Sequence, residues 1–352
     1  MIIIMEPGAT KEQINKVVEH LESLDFKINI NYGEVLTVIA AIGDKRMVQP
    51  HSILSFDGVR EIKSIQDPFK LASRESQKED TVVEFSNGVK IGGKNRPVVI
   101  AGPCSVEENI DGLLEVAYAA KEMGAQFLRG GAFKPRTSPY DFQGLEEKGL
   151  QYLAKAREET GLLVVTEVMD TLDIPLVADY ADILQVGARN MQNFKMLKAL
   201  GKLNKPVILK RGPAAGIKEF LLAAEHIMYN GNTNVILCER GIKGFDSSYT
   251  RNTLDLASVG VIKKYSHLPI IVDPSHATGR RYLIEPMSKA AIVSGADGIM
   301  IEVHHNPDKA YSDGAQSLTI PQFKRLMKHL SKLMDVLESE DLAEDITSYV
   351  KM

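Results

Sequence analysis

From Arg96 onward, short apolar runs alternate with longer segments in which apolar residues recur at helical spacing. Such runs are typical of parallel strands buried on both faces, and the segments between them are typical of amphipathic helices. The pattern predicts eight strands, at Val98–Ala101, Phe127–Arg129, Leu163–Glu167, Ile183–Val186, Val207–Lys210, Val235–Cys238, Ile270–Asp273 and Gly298–Glu302. Helices are predicted between most of them, for example at Gly112–Met123, Leu145–Thr160, Phe194–Leu200, Ile217–Asn230 and Pro286–Ser294.

Eight strand–helix units over about 240 residues are typical of a (β/α)8, or TIM, barrel. The alternative is a doubly wound open sheet, which usually carries fewer strands and a glycine-rich dinucleotide fingerprint. Neither Gly-x-Gly-x-x-Gly nor Gly-x-x-x-x-Gly-Lys-[Ser/Thr] occurs in the chain. The sequence therefore favours an α/β fold with a catalytic barrel over residues 96–352.

Residues 1–70 carry a different pattern, which predicts a separate small α+β domain. Its elements are a strand at Met1–Met5, a helix opened by Thr10, strands at Phe26–Ile30 and Val35–Ile42, a helix at Asp44–Leu54 and a strand at Val59–Ile65. The order βαββαβ is that of a ferredoxin-like module. Because no catalytic cluster occurs in it, we expect a regulatory or oligomerising role. Residues 71–95 are predicted to form a linker and a β-hairpin that turns at Asn87-Gly88.

Composition excludes several classes of protein. The formal net charge is −4, whereas proteins that bind nucleic acid usually carry a basic excess. The two cysteines cannot build a disulfide framework in so long a chain, which predicts a reducing, cytoplasmic location. No apolar run approaches the ~20 residues that a membrane-spanning helix needs. We therefore expect small-molecule partners, with no nucleic acid and no membrane.

Every predicted barrel strand ends in polar, ionisable or glycine residues. The chemistry of such barrels lies where the strands end, so these side chains should share one mouth. Six cations are expected to converge there: Arg129, Lys134, Arg136, Arg189, Lys210 and Arg240. Because so many like charges repel one another without an anion, at least one phosphate-bearing ligand is predicted.

Three of these cations belong to one loop, Leu128–Tyr140, where they are interleaved with Gly130, Gly131 and Pro135. Glycines let the backbone approach a ligand closely, and prolines restrict the loop to few conformations. The alternative is a solvated basic loop. The polar ends of the other strands favour a phosphate-binding loop.

A second group at the strand ends combines a thiol, an imidazole and carboxylates: Cys104, His276, Glu302 and Asp313. Mixed soft and hard donors suit a borderline divalent ion such as Zn, Fe, Co or Mn. Taken singly, each residue has an ordinary structural explanation. Four of them at one barrel mouth predict a metal centre.

Six segments together resemble the 3-deoxy-D-arabino-heptulosonate 7-phosphate (DAHP) synthase family. They are Ala101–Glu107, Leu128–Tyr140, Gly187–Asn190, Leu209–Gly212, Cys238–Gly241 and Val272–His276, and the Lys-Pro-Arg-Thr-Ser-Pro run is the most specific of them. The N-terminal module resembles that of the type Iβ form, which carries a ferredoxin-like regulatory domain. The resemblance covers nearly the whole chain.

This resemblance implies an activity and a set of site residues. The family condenses phosphoenolpyruvate with erythrose 4-phosphate, in the first step of aromatic amino-acid synthesis. The metal ligands would be Cys104, His276, Glu302 and Asp313. Phosphoenolpyruvate would be bound by Arg129, Lys134, Arg189, Lys210 and Arg240, in a pocket lined also by Glu167 and Ala188. Arg136 and Thr137 would contact erythrose 4-phosphate, and the catalytic residues would be Lys134, Cys104 and His276. The family also implies a homotetramer, and the regulatory domain implies inhibition by Tyr or Phe.

One segment departs from the family pattern, since Pro213-Ala214-Ala215-Gly216 stands where relatives usually have Met and a Thr. Two other functions remain as alternatives. 3-Deoxy-D-manno-octulosonate 8-phosphate synthase shares the barrel but uses arabinose 5-phosphate, and a phosphate sensor without catalysis would need no metal. A fused chorismate mutase is excluded, because residues 1–70 contain four strand patterns and that mutase is all-helical.

Overall fold

The computed structural model describes residues 1–33, 36–43, 50–63, 68–134 and 138–339. Its contacts divide the chain into two compact units. The first comprises Met1–Asp80 and Tyr265–His267, and the second comprises Thr81–Lys264 and the chain from Leu268 onward. The domain limits predicted above, 1–70, 71–95 and 96–352, stay predictions.

The first unit contains the predicted ferredoxin-like fold. Its elements are β1 (Ile2–Met5), α1 (Lys11–Glu22), β2 (Lys27–Tyr32), β3 (Thr37–Ile42), α2 (Pro50–Leu54) and β4 (Val59–Lys63). The sheet has the order β2-β3-β1-β4, and β1 pairs antiparallel with both of its neighbours. Thr10 caps α1 in a capping box with Gln13, as the sequence pattern indicates. Part of the predicted helix Asp44–Leu54 lies outside the described residues.

The second unit begins with a short hairpin of β5 (Val83–Glu84) and β6 (Lys90–Ile91). Gly88 has φ 83°, a left-handed conformation that glycine adopts without strain. The hairpin buries Val83, Phe85 and Ile91 in the interior cluster of the barrel. Phe85 meets Phe127 edge to face, with 5.0 Å between the ring centroids. The hairpin therefore packs at the amino-terminal end of the barrel strands.

The predicted barrel is confirmed. Its strands are β7 (Val98–Gly102), β8 (Phe127–Arg129), β9 (Leu163–Val168), β10 (Ile183–Val186), β11 (Val207–Lys210), β12 (Val235–Glu239), β13 (Ile270–Val272) and β14 (Gly298–Glu302). Each strand pairs parallel with the next, and β14 pairs parallel with β7, which closes the sheet. Isoleucine and valine side chains fill its interior, and each fully buried one contributes about 1.5–3 kcal/mol.

Helices follow the barrel strands, and most of them cover the outside of the barrel. They are α3 (Ile110–Glu122), α4 (Glu147–Thr160), α5 (Ile174–Tyr180), α6 (Phe194–Leu200), α7 (Ile217–Tyr229), α8 (Ala257–Tyr265), α9 (Pro274–Thr278), α10 (Arg281–Val293) and α11 (Ile320–Leu337). The helix predicted to begin at Pro286 in fact begins at Arg281, with Pro286 inside it. Among the helices that the structure describes, none has the length and apolar content needed to cross a membrane.

Candidate active site

The carboxyl ends of the barrel strands surround a cavity of about 490 Å³. Eight residues predicted for the site line it: Lys134, Glu167, Ala188, Arg189, Lys210, Arg240, His276 and Asp313. The other described residues of the predicted site, Cys104, Arg129 and Glu302, are buried. Arg136 and Thr137 lie outside the described residues, so their proposed contacts stay predictions.

The four predicted metal ligands come together. One donor atom from each of Cys104, His276, Glu302 and Asp313 lies within 4.8 Å of the other three. The Cys104 thiol donates to Asp313 Oδ2 at 3.1 Å, and His276 Nε2 lies 3.2 Å from Glu302 Oε1. One thiol, one imidazole and two carboxylates at this spacing fit a borderline divalent ion.

The ionisation of these ligands follows from burial and from neighbouring charges. Burial raises the pKa of the Cys104 thiol to about 11, and the Glu302 carboxylate adds to the increase. Burial would also raise the pKa of Glu302, but His276 and Arg129 outweigh it and lower that pKa. The carboxylate is therefore ionised at neutral pH, whereas the thiol must lose a proton to bind a metal.

His276 is held by Asp273, which sequence reasoning left without a role. His276 Nδ1 lies 2.7 Å from Asp273 Oδ2, and Asp273 caps the short helix α9 by accepting from the His276 backbone N–H. Lys210 Nζ donates to the same carboxylate at 2.6 Å. Burial opposes ionisation of Asp273, but His276 and Lys210 hold its pKa well below the ordinary value. This ionised carboxylate fixes the imidazole with Nε2 turned toward Glu302.

Glu302 and Cys104 have partners of their own. Arg129 Nη1 donates to Glu302 Oε1 at 2.7 Å, and Gln316 Nε2 donates to Glu302 Oε2 at 2.5 Å. Lys134 Nζ donates to both the carbonyl oxygen and the sulfur of Cys104, at 3.0 Å each. Two cations predicted to bind phosphoenolpyruvate thus also contact the candidate metal ligands, which brings the two predicted sites into one.

The remaining cations face the cavity from neighbouring strands. Arg240 is half-buried and, within the described part of the chain, has no hydrogen-bond or salt-bridge partner. Its charge is available to an anion in the cavity.

Glu167, at the end of β9, also lines the cavity and accepts a hydrogen bond from Gln185 at 3.1 Å. A Cβ at Gly187 would lie 2.1 Å from Glu167 Oε1, so any other residue there would displace this carboxylate from its position.

Two residues that sequence reasoning missed also line the cavity, Arg251 and Asn252. Arg251 Nη2 donates to Asp313 Oδ1 at 2.9 Å. Burial would raise the pKa of Asp313, but this hydrogen bond and the charge of His276 lower it below its ordinary value. Arg251 could not be found from the strand-end rule, because it stands well inside the loop between β12 and α8.

Three other ionisable residues at or after the strand ends do not join the site. Cys238 is part of the barrel core. His304 lies 3.3 Å from Glu107 and stacks on His305, away from the four ligands. Arg280 donates to the backbone carbonyls of Ser248 and Tyr249.

The fold and the site define a (β/α)8 enzyme whose mouth suits phosphorylated substrates beside a candidate metal centre. The chain belongs to the DAHP synthetase I family, whose family model matches residues 79–339. The model of the DAHP synthase ferredoxin-like domain matches residues 1–67.

The chain is similar to known heptonate aldolases and to known octonate aldolases. The phospho-2-dehydro-3-deoxyheptonate aldolase of Thermotoga maritima is 52% identical over 96% of this chain and 98% of its own length. The crystal structure of that DAHP synthase covers 96% of this chain and 97% of its own, with a TM-score of 0.76. A 2-dehydro-3-deoxyphosphooctonate aldolase of Syntrophotalea carbinolica is 32% identical over 69% of this chain and 92% of its own length.

Proposed function

We propose that the chain condenses phosphoenolpyruvate with erythrose 4-phosphate and water to give DAHP and phosphate, as a metal-dependent step of aromatic biosynthesis. The observation that carries this proposal is one cavity, of about 490 Å³, that is lined both by Arg240, which has no ion-pair partner among the described residues, and by His276 and Asp313 of the four-donor set. The 52% identity with the Thermotoga synthase favours the heptulosonate over the octulosonate product.

The residues of the cavity have different roles in this reaction. Arg189, Lys210 and Arg240 bind the phosphate and carboxylate of phosphoenolpyruvate and stabilise the phosphate as it leaves. Cys104, His276, Glu302 and Asp313 would hold a divalent ion, which would supply Lewis-acid polarisation of the aldehyde carbonyl. Holding two phosphorylated substrates side by side makes the C–C bond-forming step effectively intramolecular.

Lys134 and Glu167 are the candidates for proton transfer in this scheme. Lys134 Nζ contacts Cys104 and also lines the cavity, so it can deliver a proton to the oxygen of the reacting aldehyde. Glu167 also lines the cavity, where its carboxylate can accept a proton from the water that adds to C2 of phosphoenolpyruvate.

A two-aldose assay tests the function. The purified chain is given phosphoenolpyruvate with either erythrose 4-phosphate or arabinose 5-phosphate, each with and without a chelator. We expect phosphate release when the aldose is erythrose 4-phosphate and none when it is arabinose 5-phosphate. The chelator should abolish this release, and added Mn²⁺, Fe²⁺, Co²⁺ or Zn²⁺ should restore it. Turnover of arabinose 5-phosphate alone would establish the octulosonate synthase instead. Failure with both aldoses, together with Cys104→Ala binding phosphate ligands as tightly as the unchanged chain, would favour the sensor.

The ferredoxin-like domain is proposed to bring feedback inhibition by Tyr or Phe to a cytoplasmic homotetramer. The support is the match of residues 1–67 to the domain found in DAHP synthases. Inhibition of phosphate release by each amino acid, and the mass of the assembly in solution, test these points separately.

A further inference from the structure

Arg251 occupies an unusual place among the cations of the mouth, because it contacts a candidate metal ligand from outside the strand ends. Its backbone N–H donates to Thr278 O at 2.9 Å, which ties its loop to helix α9. Its side chain, 45% exposed, reaches over the cavity and donates from Nη2 to Asp313 Oδ1 at 2.9 Å. Arg251 is thus anchored at its backbone and directed at one carboxylate oxygen.

The two oxygens of Asp313 have different partners. Oδ2 accepts from the Cys104 thiol at 3.1 Å and so faces the four-donor cluster, whereas Oδ1 accepts from Arg251. The backbone of Asp313 is itself fixed, in a left-handed conformation with φ 53°, and its carbonyl accepts from Gln316 N–H and from the Ser317 hydroxyl. The rotation of the carboxylate is held by these two side-chain contacts, of which Arg251 provides the one on Oδ1.

We propose that Arg251 is a positioning residue that holds Asp313 as a one-oxygen ligand. A carboxylate can offer a divalent ion either one oxygen or both. An N–H bound to Oδ1 would keep that oxygen from binding the ion, which would leave a coordination position for the substrate carbonyl. Catalytic metal sites need such an open position, whereas closed sites are structural. The catalytic consequence of this inference rests on the proposed function. The one-oxygen binding by Asp313 can be tested without turnover.

The test uses Co²⁺ as the metal probe on the full chain. We compare the unchanged chain with Arg251→Met, which removes the donor, and with Arg251→Lys, which keeps a charged donor of similar reach. Arg325→Met is the matched control, because it removes an arginine–carboxylate pair, with Glu285, that involves none of the four ligands. The visible d–d bands of Co²⁺ weaken several-fold as coordination number rises, and the near-ultraviolet thiolate band reports whether Cys104 is still bound.

We expect Arg251→Met to keep the thiolate band and to lose d–d intensity, while Arg251→Lys and Arg325→Met resemble the unchanged chain. The kcat of Arg251→Met should fall by about 10- to 100-fold, with KM for phosphoenolpyruvate little changed. A d–d spectrum in Arg251→Met identical to that of the unchanged chain would overturn the inference, and so would equal loss of both bands, which indicates a collapsed site. Because the spectra need no substrate, they test the role of Arg251 even if the two-aldose assay shows no activity.

Discussion

At the scale of single residues, two adjacent residues can have different roles, because side chains alternate between the two faces of a strand. Lys210 and Arg211 are adjacent, and the strand pattern points them to opposite faces. Lys210 lines the cavity, whereas Arg211 is buried against Glu239 and Asp255 at 2.9 and 2.8 Å. Removing one partner of such a buried pair costs about 3–5 kcal/mol. Loss of activity in an Arg211 variant would therefore report folding rather than catalysis.

The contact between Gly187 and Glu167 gives a sharper test of the site. In Gly187→Ala the new Cβ would lie 2.1 Å from Glu167 Oε1, so the carboxylate must leave its position. We expect kcat/KM to fall on the order of 10- to 100-fold, because small displacements in a site are costly. Gly212→Ala is the control, since its Cβ would meet nothing closer than 3.5 Å. Equal activity in the two variants would show that Glu167 has no role.

His267 makes the stability of the first unit depend on pH. The side chain is 3% exposed, and its Nε2 lies 2.6 Å from Leu71 O. Burial lowers the pKa of His267 to about 4, and the charge of Arg74 adds to the decrease. The unfolded chain binds this proton near pH 6.5 and the folded chain near pH 4. The contribution of neutral His267 to the free energy of unfolding is therefore fully present above pH 6.5 and is lost as the pH falls toward 4.

Between pH 7.5 and pH 5, we expect this residue to remove about 2 kcal/mol from the free energy of unfolding. Urea unfolding at the two pH values measures it. His267→Gln keeps an N–H donor for Leu71 but cannot titrate. The decrease in its free energy of unfolding between pH 7.5 and pH 5 should therefore be smaller by about 2 kcal/mol. An identical loss in both proteins would contradict the assignment.

At the scale of elements, the strands and their ends were predictable and the long loops were not. Eight apolar runs predict the eight buried strands, and the strand-end rule places residues such as Glu302 at the site. Asp273 was visible as the end of a strand, but only the structure shows it holding His276. Arg251 and Gln316 reach their partners from loops whose course no periodicity encodes. Their position depends on tertiary contacts alone.

The departure at Pro213–Gly216 leaves helix α7 with a weak N-terminus. Gly216 is the N-cap, with φ −68° and ψ 161°, and a Cβ there would meet nothing closer than Glu219 Oε2 at 3.7 Å. Gly216→Thr should therefore fit, supply an acceptor for the Glu219 N–H and reduce the entropy of the unfolded chain. We expect about 0.5–1 kcal/mol of added stability, measured as a rise in the urea midpoint, with unchanged activity. Gly216→Ala separates the two effects, because it lacks the acceptor. A Gly216→Thr midpoint no higher than that of Gly216→Ala would exclude the cap.

At the scale of the whole molecule, the first unit does not end where the ferredoxin-like fold ends. Phe69 and Leu71 are buried, 4% and 7% exposed, and the segment from Pro68 to Asp80 belongs to the same unit as Tyr265–His267. Ser73 and Ser266 form an antiparallel bridge, and Arg74 N–H donates to Tyr265 O at 2.8 Å. A shortened chain thus has two possible starting points with different consequences.

Two truncations separate regulation from stability. A chain starting at Pro68 keeps the buried segment and its bonds to Tyr265–His267, so we expect it to stay active and to lose inhibition by Tyr or Phe. A chain starting at Thr81 loses Phe69 and Leu71 as well, which should lower the free energy of unfolding by roughly 3 kcal/mol or more. Phosphate release with and without each amino acid, and urea unfolding, measure both effects. Inhibition that survives in the Pro68 chain would place the effector site outside residues 1–67, and equal urea midpoints would show that the segment does not stabilise the fold.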